Sequence, residues 1–186
     1  SSNTQALNTV FDSSTNKVVV AYSDVGNSYD GKAVVGTVSG TSISFGSTNT
    51  FYDNQVFSIG LSFDSNANKI HLFHDGHTTI GTAKAIEGTV SGTSISFSSA
   101  VNFNGSNSAF AINAVFDPDT NQSIVAFTSY GDGVTNGDGS IRVYTPASTS
   151  TNLTSENYIG LSTGGTYADT AEATIDVVGT VNKDQS

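Results

Sequence analysis

Apolar residues recur at every second position in short runs, and the runs themselves recur. Leu7, Thr9 and Phe11 alternate with small or polar neighbours, as do Ile59, Leu61 and Phe63, and again Ile112, Ala114 and Phe116. A period of two is the signature of a β-strand with one apolar face, and each triplet is expected to turn that face to the core. An Asp-x-x-x-Asn sequence follows each run, at Asp12–Asn16, Asp64–Asn68 and Asp117–Asn121. Asp can cap such a turn through its carboxylate, and Asn tolerates the left-handed backbone that closes a hairpin. Second strands are then predicted over Lys17–Tyr22, Lys69–His74 and Gln122–Phe127. The first of these contains Val18, Val19 and Val20, so it is apolar on both faces, as suits a strand lying between two layers. Third strands are expected at Ala33–Val38, Ala85–Val90 and Ser140–Tyr144.

The third strand leads into a decapeptide, Gly-Thr-Val-Ser-Gly-Thr-Ser-Ile-Ser-Phe, that occurs letter for letter at 36–45 and at 88–97. Within it Ser39-Gly40 and Ser91-Gly92 supply tight turns. Ile43 with Phe45, and Ile95 with Phe97, then form the inward face of a fourth strand. Self-similarity at this period marks a repeat architecture. The repeats divide as 1–52, 53–105 and 106–145, and the third has no decapeptide. No window shows helical spacing with caps at its ends. The fold class expected is therefore all-β, built of four-stranded repeats of about 50 residues, in the manner of propeller blades. Three repeats are fewer than a propeller needs, so a homo-oligomer that covers the open faces is expected, with a sandwich as the alternative arrangement. Residues 146–152, opened by Pro146, read as a linker. Residues 153–186 read as a small separate β unit, with strands at 157–161 and 173–181. The chain starts at Ser1 in mid-pattern, as a processed product or a piece of something longer would.

Composition narrows the function. Six basic against sixteen acidic residues give a net charge of −10, and Arg142 is the lone arginine. Phosphate contacts need clustered Lys and Arg, so nucleic acid is excluded as a partner, and an anionic membrane surface is disfavoured. No apolar run is long enough for membrane insertion. Cysteine is absent, which removes disulfides and thiolate metal sites. Ser, Thr, Asn and Gly make up the surface, as in β-rich extracellular and virion proteins.

Candidates for chemistry are few. His71, His74 and His77 lie within seven residues, beside Asp75. On a strand, residues three apart point to opposite faces, so His71 and His74 are ill placed to share one ion. Their counterparts Val19 and Tyr22 give both a packing role, and only His74 with His77 remains as a pair. Calcium is the one possible cofactor: the 132–138 loop offers Asp132, Asn136 and Asp138 as oxygen ligands, and Asp24, Asn27 and Asp30 form a similar loop. Asp117, Asp119 and Asn121 resemble a third. None has the spacing of a helix–loop–helix calcium site, and Asx-rich turns give the same composition. Glu87, Glu156 and Glu172 are the three glutamates, and no carboxylate pair of a glycosidase is identified among them. No nucleophile elbow or phosphate loop is present. Asn104, Asn121 and Asn152 begin glycosylation-type triplets of the kind that arise by chance in such a composition. The repeats diverge at 46–57, 75–84, 98–110 and 129–139, and loops on a rigid β scaffold commonly carry binding. Tyr52, Phe57, Phe103, Phe110 and Tyr130 lie in or beside them. These aromatics could stack on glycan rings, although core or rim packing is the commoner role for such residues.

The strings FDPDTN, VVVAY and GTVSGTSISFGS resemble repeats of bacteriophage tail-fibre and other virion-associated proteins, and the segment 152–162 is similar to stretches that follow such repeats. The resemblance implies a non-enzymatic structural or adhesion protein of a virion or other extracellular surface. Its partners would be other fibre subunits and a host surface glycan. The alternatives are a secreted carbohydrate-active or glycan-binding propeller of sialidase-like type, and a filament or sheath subunit. A sialidase-like site would need several arginines, and an assembling filament would show open sheet edges.

Overall fold

The computed structural model describes residues 3–76, 82–130 and 137–145. The fold is all-β, in three antiparallel sheets whose strands follow chain order. Sheet A contains β1 (Thr4–Asp12), β2 (Lys17–Asp24), β3 (Asp30–Ser39), β4 (Ser42–Phe45) and β5 (Asn49–Gln55). Sheet B contains β6 (Ile59–Asp64), β7 (Lys69–His74), β8 (Lys84–Ser91), β9 (Ser94–Phe97) and β10 (Val101–Asn102). Sheet C contains β11 (Ser108–Asp117), β12 (Gln122–Tyr130) and β13 (Asp138–Tyr144). A single 3-10 turn at Val25–Asn27 interrupts the strands.

The turn chemistry follows the sequence. Asp12 Oδ1 accepts from the Ser14 and Thr15 amides, Asp64 Oδ1 from those of Asn66 and Ala67, and Asp117 Oδ1 from that of Asp119. Asn16, Asn68 and Asn121 close the turns at φ of 55°, 55° and 58°. In the decapeptide turns Gly40 and Gly92 take φ of 59° and 61°, where a side chain would be strained.

Strand number departs from four per repeat: among the described residues sheets A and B have five strands and sheet C has three. The extra strand arises because β4 pairs with only the second half of β3. Its first half then accepts β5, through a register broken twice by bulges. The chain turns back at Gly46, whose missing Cβ lets it lie against the Thr93 carbonyl of the next sheet.

The sheets stack face to face, with β6 lying between β1 and β11. In antiparallel pairs, directly opposed residues share a face. Each sheet thus has a front, bearing the decapeptide's Ile and Phe in sheets A and B and Phe116, Ser123 and Tyr144 in sheet C, and a back. The back of sheet A (Val10, Val19, Ala21, Ala33, Val35) packs on the front of sheet B (Leu61, Phe63, Ile70, Leu72, Ile95, Phe97). The back of sheet B (Phe73, Ala85) packs on the front of sheet C (Val125, Phe127, Tyr144). Sheet B is therefore covered on both sides. Two expectations are corrected here. Leu7, Thr9 and Phe11 face solvent: like their counterparts Ile59, Leu61 and Phe63 they stand on the front of their sheet, and in sheet A the inward set is Ala6, Asn8 and Val10 on the back. Ile43 and Phe45 are likewise exposed, since among the described residues no layer lies on the front of sheet A.

Candidate functional site

The Asp-Asn hairpin turns lie at one end of the stack, where β2, β7 and β12 begin, and the far ends of β2, β7 and β12 form the other, the loop end. The turns of sheets B and C meet there, where the Asn66 side-chain amide donates to the Pro118 carbonyl and to Asn121 Oδ1. At the loop end Asp75 is fully buried, and its carboxylate accepts from the Phe57 and Ser58 amides. The Ser58 hydroxyl in turn accepts from the Ile112 amide, tying sheet C to sheet B.

The five aromatics singled out from the sequence separate at this end. Phe103 is 5% exposed and meets Phe73 and Phe127 edge to face, so it is core between sheets B and C and offers no ring face to a sugar. The backbone turns it inward: its amide donates to the Ala83 carbonyl. Tyr52 is half-buried, its ring 4.7 Å from that of His74. Phe57 packs on Tyr29 at 5.1 Å. Phe110 and Tyr130 are brought together, edge to face at 5.3 Å, and Tyr130 is 37% exposed. Ser108 lies opposite Tyr130 and Phe110 opposite Thr128, so both rings stand on the back of sheet C. A side chain at Gly137 would collide with Tyr130, so glycine is required for the strand to return beneath the ring. This pair stands where β12 ends and β13 begins, partly open to solvent.

The calcium candidates do not assemble among the described residues. Asp132 and Asn136 lie outside them, as does His77. Asp138 is exposed on β13 opposite Ser129. The Asn27 amide donates to Asp30, and Lys32 sits 3.8 Å from that carboxylate. Asp117 spends its carboxylate on the turn, accepting from Thr120 Oγ1 at 2.7 Å, and this bond holds its pKa below the usual carboxylate value. Asp12 is held low as well: burial pushes it up, but the Ser14 and Thr15 hydroxyls and amides outweigh that. Asn104 is buried, donating to Ser129 Oγ and accepting from Arg142, which leaves no open amide for a glycan to be attached.

His71 and His74 point into different interfaces. The His74 ring lies among Phe51 and Tyr52 of sheet A, with Nδ1 2.6 Å from the Asp75 carbonyl. The His71 ring lies between sheets B and C against Phe116 and Tyr144. Burial pushes each down to about 4, against the opposing pull of Asp64 on His71 and of the Asp75 carbonyl on His74, so both are neutral at pH 7.

Sequence reading missed one constellation. Ser123 Oγ is 2.8 Å from His71 Nδ1, and His71 Nε2 faces Asp64 Oδ2 at 3.5 Å, with Ser62 Oγ 2.8 Å from Ser123 Oγ. The residue types are those of an acyl-transfer triad. Here Ser123, His71 and Asp64 all have zero exposure, inside a sheet interface where a substrate cannot reach the hydroxyl. Asp64 Oδ1 is committed to the turn. The arrangement can act only as a polar pin between layers. Its signal was available in the repeat alignment, where Ser62 and His71 stand for Val10 and Val19, and Ser123 stands for Val18. No protein-family model, curated protein or solved structure matches this chain.

Proposed function

We propose that the chain is a structural or adhesion component of a virion or other extracellular surface, tail-fibre-like, whose stacked sheets are a scaffold and whose loop end contacts a glycan. The observation that carries this reading is the Phe110–Tyr130 pair, an aromatic surface partly open to solvent at the end of β12 and backed by sheet C. Aromatic faces of this kind stack on the apolar faces of sugar rings at little entropic cost. The three sheets are read as propeller-like blades, supported by the stacking of their first strands and the outward order of pairing in each. The sialidase-like alternative is weakened by Arg142, whose guanidinium is turned to Asn104 within the B–C interface.

Titration of the whole chain against a panel of neutral and acidic oligosaccharides tests the reading. Binding of at least one, weakened about tenfold or more by Tyr130→Ala with the fold unchanged by circular dichroism, is expected. No binding across the panel, or binding indifferent to Tyr130→Ala and Phe110→Ala, overturns it.

A further inference from the structure

Among the described residues two sheet faces are uncovered, the front of sheet A and the back of sheet C, and their chemistry is paired. On the front of sheet A, Phe11 lies opposite Val18, Val18 opposite Gly36, Gly36 opposite Phe45, and Val38 opposite Ile43. The same front in sheet B, with an identical decapeptide, is covered by the back of sheet A: Ile95 is 3% exposed where Ile43 is 44%. The molecule thus displays what covers such a face, namely a back whose rows read Val10–Val19–Val35 and Asn8–Ala21–Ala33, with the Asn8 amide donating to the Ile59 carbonyl of the covered sheet.

The back of sheet C has that composition. Its rows are Val115–Ile124–Val143 and Asn113–Ala126–Ile141, apolar except for Asn113, which stands where the back of sheet A has Asn8, with Val115 61% exposed. The back of sheet B does not: its corresponding rows are Ser62–His71–Glu87 and Phe73–Ala85, and they meet a polar partner in Ser123 and Tyr144. The two open faces therefore match the apolar A–B interface and not the polar B–C one.

We infer that the back of sheet C of one copy docks on the front of sheet A of a second copy, continuing the stack head to tail. The inference rests on the scaffold reading above and names the partner of that scaffold: the same chain. Because the two faces differ, the contact is heterologous, and repetition either closes a ring or extends a filament. None of the interface positions is charged, so the contact is carried by apolar burial. Phe110 and Tyr130 lie beyond the bulge at Ala111, at the loop end of the same face and outside these rows.

The test uses two single variants of the full chain, Phe45→Lys on the front of sheet A and Ala126→Lys on the back of sheet C, with sedimentation mass as the readout. Both positions are exposed in the single chain, so each variant should fold, and circular dichroism checks this. If Phe45→Lys fails to fold, Val38→Lys replaces it. The wild type should associate, and each variant alone should do so at least about 30-fold more weakly. An equimolar mixture of the two should form a species of twice the chain mass, because each variant retains one good face. A monomeric wild type overturns the inference, as does loss of association from the sheet A variant alone, or failure of the mixture to pair. The first would arise were residues 146–186 of the same chain to cover a face, and the second from front-to-front pairing. Glycan binding by the monomeric variants is scored separately, so failure of either reading leaves the other measurable.

Discussion

The two copies of the decapeptide fold alike and are buried differently. In both, glycine is paired with phenylalanine and valine with isoleucine, and the turn glycines agree to 2° in φ. In both, a lysine from the second strand donates to the decapeptide's first threonine, Lys17 to Thr37 and Lys69 to Thr89. Yet Ile95 lies in the core among Val19, Val35 and Leu72, while Ile43 is open. Ten identical residues fix a hairpin; what covers it is set by the neighbouring layer. Stability should accordingly reside in the second copy, and several measurements can break or sharpen that view.

Acid gives the largest expected effect. The covered second repeat places His74 and His71 where the first has Tyr22 and Val19. Burial holds both histidines near 4 in the folded chain, against an ordinary value of 6.5. Between those values the unfolded chain binds more protons, so stability is intact above pH 6.5 and falls as pH drops toward 4. The loss approaches roughly 3 kcal/mol for each histidine. Urea unfolding at pH 7, 5.5 and 4.5 should show this decline, and a flat profile over that range would mean that neither ring is sealed between layers.

Next in size is a pair of truncations. Ile95→Ala removes a core side chain and should cost about 2–4 kcal/mol, while Ile43→Ala should cost well under about 1 kcal/mol in the monomer. Equal costs for the two would show that the first copy is covered after all.

The same contrast explains what the chain disclosed before folding and what it withheld. The Asp12, Asp64 and Asp117 turns, the left-handed asparagines and the decapeptide hairpins depend on nearest neighbours, and those are legible. The strand β5 was not, because Asn49–Gln55 lacks clean alternation and forms against the half of β3 that β4 leaves free. Nor was the exposure of Leu7 and Phe11, since they share the front of sheet A with Phe45, and burial of a front depends on the layer set against it. The alternation in β1 fits either face; only the layer beneath selects one. At the candidate site the divergent loops pointed to Phe110 and Tyr130. Phe103 looked equivalent in sequence, and what separates it is burial between two sheets that a single repeat cannot foresee. The Ser123–His71–Asp64 pin was readable only by comparing copies, as polar residues at positions apolar elsewhere.

The smallest effect is the most discriminating. A Cβ added at Gly36 would sit 2.7 Å from Ile43 Cδ1, and one at Gly88 2.8 Å from Ile95 Cδ1, so the two sites look alike locally. They differ in whether the isoleucine can move. Ile95 is held by sheet A, so Gly88→Ala forces an overpacked interface and should cost about 1–2 kcal/mol. Ile43 can swing into solvent, and the alanine restricts the unfolded chain, so Gly36→Ala in the monomer should be neutral or stabilising by about 0.5 kcal/mol. Measured on the Ala126→Lys variant, where head-to-tail contact is blocked, the two changes should therefore differ in sign. Restoring the docking face should turn Gly36→Ala unfavourable as well, visible as weaker association rather than weaker folding. The glycine of the first copy would then be kept for a neighbour that arrives only on assembly.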